Sequence, residues 1–424
     1  FLMLGIAPGF NATPEKFDLA VLLTRITMPY LLCMSAVALL SGVLNSVGKF
    51  VESSAVSIVL NLTMMAATLV AIMLGLSNEP LAGVIQAWGV FAAGILQLAL
   101  LLWGVRRNGL TLKLRLPRMT EGVRRLVTLG IPGIVAGGVT QLNIVIGTVI
   151  ASLQAGAVSY LYYADRLYQL PLGIVGVAVG VVLLPDLSRR LRAGDHAAVA
   201  DNQNRSLEFA LLLTVPAAVA LAVAAEPVIR VLFERGAFKV SDTAPTAAAL
   251  AAFALGLPAF VLIKVLQPAF FAREDTATPM RFAVWNMALN VVGSVALFFL
   301  FRDIGWMPHV GIAVATTLAG WLNAALLWAT LAKRGQFVAD ARLKRALPLI
   351  VLASLIMGAA LWLAAGYLQP WFGASHGVMV RITALSTLVG SGLVIYAAAV
   401  LALGAMELRQ LRGLLRRNRP TPLA

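Results

Sequence analysis

Charge is what this sequence has least of. Of its 424 residues only 12% are charged and 60% are hydrophobic, giving a mean hydropathy of +0.89. A soluble domain carries about 25% charged and about 45–50% apolar residues. No soluble core of this size needs so much apolar surface, which excludes an ordinary soluble enzyme, a disordered chain and a soluble nucleic-acid-binding domain. Cysteine is nearly absent: Cys33 stands alone in an apolar run, so neither a disulfide framework nor a cysteine metal cluster can form. Acid is scarce as well, with 18 Asp and Glu against 33 Lys and Arg, a net charge of +15. On a soluble surface that excess would point to nucleic acid; here it must be read by position along the chain. The short run Phe1–Ala7 has no basic n-region and no cleavage site. It is therefore no signal peptide and is expected to be the end of a longer apolar segment.

Crossing about 30 Å of hydrocarbon takes about 20 mainly apolar residues in a helix. Eleven stretches meet that length: 22–46, 55–75, 81–104, 126–150, 157–184, 207–225, 244–268, 282–301, 310–332, 346–368 and 381–405. They are long and continuous, without the ten-residue alternation of barrel strands, so an all-α integral membrane fold is expected. Lysine and arginine in the connections set the orientation. Alternate connections, at 47–54, 105–125, 189–205, 273–281, 333–345 and 406–424, hold 24 of the 33 basic residues. The opposite side has seven: Lys16, Arg25, Arg230, Arg235, Lys239, Arg302 and Arg381. Arg166 and Lys264 fall inside spans. The basic side, with the C-terminus, is expected in the cytoplasm, and the positive excess becomes a topology signal that needs no nucleic-acid partner. The tail arginines Arg409, Arg412, Arg416, Arg417 and Arg419 are also placed to touch anionic lipid headgroups.

The chain repeats itself. Pro29 answers to Pro258 and Asn61 to Asn290, both at an offset of 229. Ala7-Pro8-Gly9-Phe10 faces Arg235-Gly236-Ala237-Phe238, and Gly83-Val84 faces Gly311-Ile312, both at 228. Six helices separate the paired elements, an even number, so the halves share one orientation and are related by a pseudo-two-fold axis along the membrane normal. If the second half begins near Glu121, its counterpart lies about a hundred residues before Phe1. The expected whole has fourteen spans: two six-helix lobes plus two C-terminal helices, with the first two helices and most of the third missing. The expected divisions are 1–108, the remainder of the N-terminal lobe; 109–335, the C-terminal lobe; and 336–424, the extra pair with its basic tail.

The most informative stretch is Tyr160-Leu161-Tyr162-Tyr163-Ala164-Asp165-Arg166-Leu167-Tyr168. Arg166 lies about 15 Å along a helix from the nearer end of its span. An ionised Arg at that depth costs a few kcal/mol unless it faces a polar cavity or pairs inside the bundle. Its rigid fork suits a phosphate held bidentately. Pro171, with Gly173, Gly176 and Gly180, is expected to interrupt the helix, and an interrupted helix with a central cation is where a transporter takes an anionic headgroup. The competing reading is an ion pair of Asp165 with Arg166, or with another base, that only holds packing. Lys264 and Arg25 lie near helix ends, where they either snorkel to the interface or reach a cavity. Asn61, Asn286 and Asn290 read as buried amides that join helices, and Gly42, Gly48, Gly130, Gly133, Gly137 and Gly138 as points of close helix approach or hinges. His196, His309 and His376 stand singly in loops and read as solvated. No phosphate loop appears, and acids within the spans are nearly limited to Asp165. Paired carboxylates for catalysis or a metal are lacking, so no enzyme activity, cofactor or metal is expected.

Tyr162-Tyr163-Ala164-Asp165-Arg166-Leu167, continuing through Pro171-Leu172-Gly173-Ile174-Val175-Gly176-Val177-Ala178 to Leu183-Leu184-Pro185, resembles the MurJ-type lipid II flippases. So do Ala7-Pro8-Gly9-Phe10, Pro29-Tyr30 with Gly42-Val43-Leu44-Asn45, and the run from Lys264 to Thr276 followed by Thr278-Pro279. The resemblance implies the fold of the multidrug/oligosaccharidyl-lipid/polysaccharide exporter superfamily. It also implies a multi-pass protein of the bacterial inner membrane that moves undecaprenyl-pyrophosphate-linked peptidoglycan precursor (lipid II) from the inner to the outer leaflet. In that family a cationic cavity holds the pyrophosphate, Arg166 matches its second-lobe arginine, and the extra helix pair borders a groove for the lipid tail. The other cavity arginines belong to first-lobe helices expected before Phe1. Where some members bind sodium, this chain offers Asn286 and Asn290 and no carboxylate. The alternatives are a polysaccharide repeat-unit flippase or cation-coupled drug antiporter of the same superfamily, a membrane enzyme on the same lipid, and an inactive product. An antiporter should carry acids in its cavity, and an enzyme should carry carboxylate pairs.

Overall fold

The computed structural model describes residues 2–76, 79–110, 119, 121, 123, 124, 141, 143–193, 195–373 and 376–404. The predicted span 126–150 lies largely outside them, as do Gly130, Gly133, Gly137, Gly138 and the five tail arginines. Among the described residues every regular element is helical, and nine segments are long and apolar enough to cross a membrane.

The chain divides into two compact units, Phe1–Ile134 and Val135–Ala424. The first holds α1 (Leu2–Ile6), α2 (Pro14–Thr27), α3 (Tyr30–Ser46), α4 (Phe50–Met73) and α5 (Pro80–Arg107). The second holds α6 (143–151), α7 (Ala157–Arg192), α8 (His196–Val223), α9 (Ala225–Phe233), α10 (Val240–Ala254), α11 (Leu257–Phe271), α12 (Ala277–Asp303), α13 (Pro308–Lys333), α14 (Ala341–Leu368) and α15 (Val378–Ala402).

The helix boundaries recur at the offset found in the sequence. Moving α2 to α5 along by 229 gives 243–256, 259–275, 279–302 and 309–336, close to the bounds of α10 to α13. The recurrence includes a break. Pro29 and Pro258 each sit where one apolar span is split into two helices, α2/α3 and α10/α11. A break at membrane depth frees carbonyls that must find donors inside the protein. At the second break α13 supplies them: Thr317 Oγ1 donates to Ala252 O at 2.7 Å and Trp321 Nε1 to Leu255 O at 3.0 Å. Gly256 permits that approach, since a Cβ there would lie 2.7 Å from Thr317 Oγ1.

Small residues set the closest helix packing. A Cβ at Gly311 of α13 would stand 2.6 Å from the backbone carbon of Leu297 on α12. The same pair is joined by Asn290 Nδ2, which donates to Thr316 Oγ1 at 2.9 Å, while Ser294 Oγ donates to Asn290 Oδ1 at 3.2 Å. In the first unit the α4–α5 pair uses Gln97, whose Nε2 donates to Val56 O at 2.9 Å. Asn61, expected to be a buried amide like Asn290, is instead exposed and donates only to Ser57 O of its own helix. Its face of α4 is the open one, with Leu62, Met65 and Leu69 exposed around it.

The core of the second unit is built around α11. Pro258, Ala259, Val261, Val265, Leu266, Ala269 and Phe270 are buried against α7, α8 and α13. A helix enclosed this way must be apolar nearly all round, and this one is. The C-terminal helices α14 and α15 pack on α8 and α9, and Tyr396 Oη donates to Leu212 O at 2.7 Å.

One expectation about α7 is corrected here. Pro171 does not interrupt it: the helix runs unbroken from Ala157 to Arg192. Proline removes one N–H and crowds one carbonyl, and inside a packed bundle a long helix absorbs that as a bend.

Candidate functional site

The two faces of α7 differ in kind. Ala157, Ala164, Leu167 and Tyr168 are buried. The Tyr168 ring stacks on Phe253 with centroids 5.4 Å apart and lies 5.9 Å from Phe260, which fixes the helix against α10 and α11. Ser159, Tyr162, Arg166, Gln169 and Gly173 are exposed, at spacings of three and four that define one stripe. A lipid-facing stripe would be apolar throughout; this one carries a hydroxyl, a phenol, a guanidinium and an amide.

Arg166 Nη2 donates to Tyr162 Oη at 2.7 Å, and the guanidinium carbon lies 4.9 Å from the centre of the same ring. Both contacts are with Tyr162, one turn away and neutral. Asp165 accepts from Gln169 Nε2, again one turn along. Asp165 and Arg166 form no salt bridge with each other; their side chains turn to Gln169 and Tyr162 instead. Among the described residues the Arg166 charge meets no carboxylate within salt-bridge distance.

The other candidates lie on other helices. Lys264 is exposed on α11 although Ile263, Val265 and Leu266 beside it are buried. Arg25 is exposed near the end of α2, in the first unit. Among the described residues of the second unit, Lys264 makes no hydrogen bond or ion pair with Arg166 or Asp165. The structure thus brings together Arg166 with Tyr162 and Asp165 with Gln169.

A second feature lies between α8, α14 and α15. It is a groove of about 310 Å³, lined by Leu212, Pro216, Leu221, Leu361, Leu393 and Tyr396 among other apolar residues. The one hydroxyl there is spent, because Tyr396 Oη donates to Leu212 O. Such a groove takes hydrocarbon and offers nothing to a charged headgroup.

Sequence reasoning missed two clusters of charge and one histidine. On α8, Glu208 is buried and pairs with Arg205 and, at 2.8 Å, with Arg342; Arg205 also pairs with Asp340. Asp340 caps α14 by accepting from Leu343 N at 2.6 Å. At the opposite end, Arg381, expected among the bases of the opposite connections and helix ends, is buried. Its Nη2 donates to Arg230 O at 2.7 Å, and Glu234 lies 3.7 Å away. His309, expected to be solvated, is also buried: its ring nitrogens sit 3.2 Å from Gln154 Oε1 and 3.0 Å from Pro245 O. The available signal was Glu208 inside an apolar run, since a charge there must have a partner.

Outside the spans, the connection between α11 and α12 is tightly organised. Asp275 accepts from Arg334 Nη1 at 2.7 Å, from Thr278 Oγ1 at 2.7 Å and from Thr278 N at 3.0 Å. The Arg334 guanidinium first, then the Thr278 donors, pull its carboxyl down to about 2.

The family model described as "Lipid II flippase MurJ" matches residues 1–381. A protein of Rhizobium tropici named "Probable lipid II flippase MurJ" is 44% identical over 98% of this chain and 77% of its own length. "Lipid II flippase MurJ" of Burkholderia cenocepacia is 32% identical over 94% of this chain and 75% of its own. A solved structure titled "Lipid II flippase MurJ, inward closed conformation" superposes with a TM-score of 0.72 over 95% of this chain and 76% of its own, at 24% identity, which supports the fold. A chain whose first 381 residues fit that model, and whose relatives align over nearly its whole length, belongs to the lipid II flippase MurJ family.

Proposed function

We propose that this chain moves lipid II from the inner to the outer leaflet of the bacterial cytoplasmic membrane by alternating access, without covalent change to the lipid. The observation that carries this reading is Arg166, a guanidinium on an open polar stripe of a membrane helix with only neutral partners. A lipid-linked pyrophosphate crossing hydrocarbon pays a large desolvation cost, which a cation-lined hydrated cavity offsets. Arg166 would hold the pyrophosphate through its fork, with Asp165 keeping Gln169 turned along the same helix. Lys264 and Arg25 would each add positive charge to their own unit. The apolar groove between α8, α14 and α15 would hold part of the polyprenyl tail.

In this reading 1–108 and 109–335 belong to two lobes, and 336–424 forms the extra pair with its tail. The 24 basic residues of the alternate connections support a cytoplasmic position for those connections and for the C-terminus. Membrane potential could reset the carrier, at about 2.3 kcal/mol per charge per 100 mV.

The test is translocation of labelled lipid II in proteoliposomes. Wild-type chain should flip it, Arg166→Ala should abolish flipping, and Arg166→Lys should restore only part, because a point charge lacks the bidentate fork. Near-normal flipping by the Ala variant would leave Arg166 a packing residue. Covalently altered lipid among the products would point to the membrane-enzyme alternative.

A further inference from the structure

The second unit has another cavity, unlike the apolar groove, where α8 and α14 end and α15 begins. It measures about 390 Å³ and is lined by Glu226, Pro227 and Arg230 of α9, Trp362 of α14, and Gln369 and Phe372 beyond it. The short helix α9 buries Ala225, Ile229 and Val231 and turns Glu226 and Arg230, one turn apart, toward the cavity. Trp362, which lines the cavity, is exposed, as are Tyr367 and Trp371 further along the same stretch of chain. Exposed Trp and Tyr at the ends of membrane helices mark the headgroup level of the bilayer.

The charges behind the cavity do not cancel. Glu234, whose side chain is 7% exposed, lies between two guanidiniums, 3.6 Å from Arg230 and 3.7 Å from Arg381. Thr243 Oγ1 also donates to it, at 2.9 Å. This trio, with Arg230 half-buried, carries one positive charge in excess, and of the three only Arg230 lines the cavity. The Arg230 Nε is buried and has no hydrogen-bond acceptor. The compensating negative charge is Glu226, 2.5 Å from Arg230 Nη2, 53% exposed and lining the cavity.

We propose that this cavity binds the headgroup of a zwitterionic phospholipid with a primary amine, its phosphate on Arg230 and its ammonium on Glu226. The cavity sets a cation and an anion side by side at headgroup depth, which matches a phosphate–ammonium dipole. A quaternary amine has no N–H for Glu226 to accept, and an anionic headgroup meets repulsion from that carboxylate. Trp362 offers an apolar wall for the glycerol and upper acyl chain. The inference does not depend on which lipid the protein transports.

The experiment is native mass spectrometry of the delipidated full chain, titrated with phosphatidylethanolamine, phosphatidylglycerol or phosphatidylcholine of matched acyl chains. Soluble phosphoethanolamine and inorganic phosphate serve as competitors. Wild type should retain phosphatidylethanolamine best, and Arg230→Gln should weaken that retention about tenfold. Glu226→Gln, at an exposed position outside the trio, should erase the preference over phosphatidylglycerol, which decides the matter even if Arg230→Gln fails to fold. Equal retention of the three lipids by wild type, or a preference unchanged in Glu226→Gln, would overturn the proposal. Displacement by inorganic phosphate as effective as by phosphoethanolamine would also overturn it, making this a free-phosphate site. Lipid retention kept in Arg166→Ala would separate this site from the proposed transport site.

Discussion

Arg166 and Arg381 are both arginines within helices, and the structure treats them in opposite ways. Arg381 is closed off: it is buried, bonded to the carbonyl oxygen of Arg230 and set against the Glu234 carboxylate. Arg166 is open: its partner is the ring and hydroxyl of Tyr162, and its charge meets no carboxylate within salt-bridge distance among the described residues. The first arrangement spends the charge on holding α15 to α9. The second steadies the side chain and leaves the charge available. Burial and pairing separate a structural arginine from one kept for an anion.

Stability should expose the closed side of that contrast first. Arg381→Leu strands the Glu234 carboxylate with one guanidinium and frees the Arg230 carbonyl, so unfolding in detergent should come about 3 kcal/mol more easily. Glu208→Leu should cost less, about 2 kcal/mol, because Arg205 and Arg342 keep part of their hydration. In both variants, transport per folded molecule should stay close to wild type. Gly311→Ala tests packing without charge: its Cβ would meet the α12 backbone, at a cost of about 2 kcal/mol, read in the same thermal unfolding.

The open side predicts smaller effects from its support. Tyr162→Phe keeps the ring beneath the guanidinium and removes the hydroxyl, so lipid II binding should weaken about threefold with unfolding unchanged. Smallest is Asp275. Its folded carboxyl sits at about 2 against an ordinary 3.8, so the stabilisation it contributes is present above that ordinary value and is lost as pH falls through about 2. Thermal unfolding of wild type should therefore converge on that of Asp275→Asn as the pH drops from 5 toward 2.

Most of the spans and the matched prolines, where the α2/α3 and α10/α11 breaks fall, were legible in the sequence. Hydropathy and spacing act along the chain, and those features are local or repeat at one offset. The charge clusters were not legible, because their partners are distant: Glu208 meets Arg342 across 134 positions and Arg381 meets the Arg230 carbonyl across 151. His309 looked like a loop residue because it sits in the first turn of α13, just outside the apolar run. Its burial depends on Gln154 and on a carbonyl of α10, which no periodicity announces. Asn61 failed in the other direction, since an amide in an apolar helix signals a partner only if its face is covered.

Equilibrium binding of lipid II to the purified chain tests the central claim most directly, with wild type, Arg166→Ala and Arg166→Lys compared beside their unfolding temperatures. The account predicts that Ala loses at least about tenfold in affinity, that Lys recovers part of it, and that all three unfold alike. Undiminished binding by Arg166→Ala, or a loss explained by earlier unfolding, would contradict it.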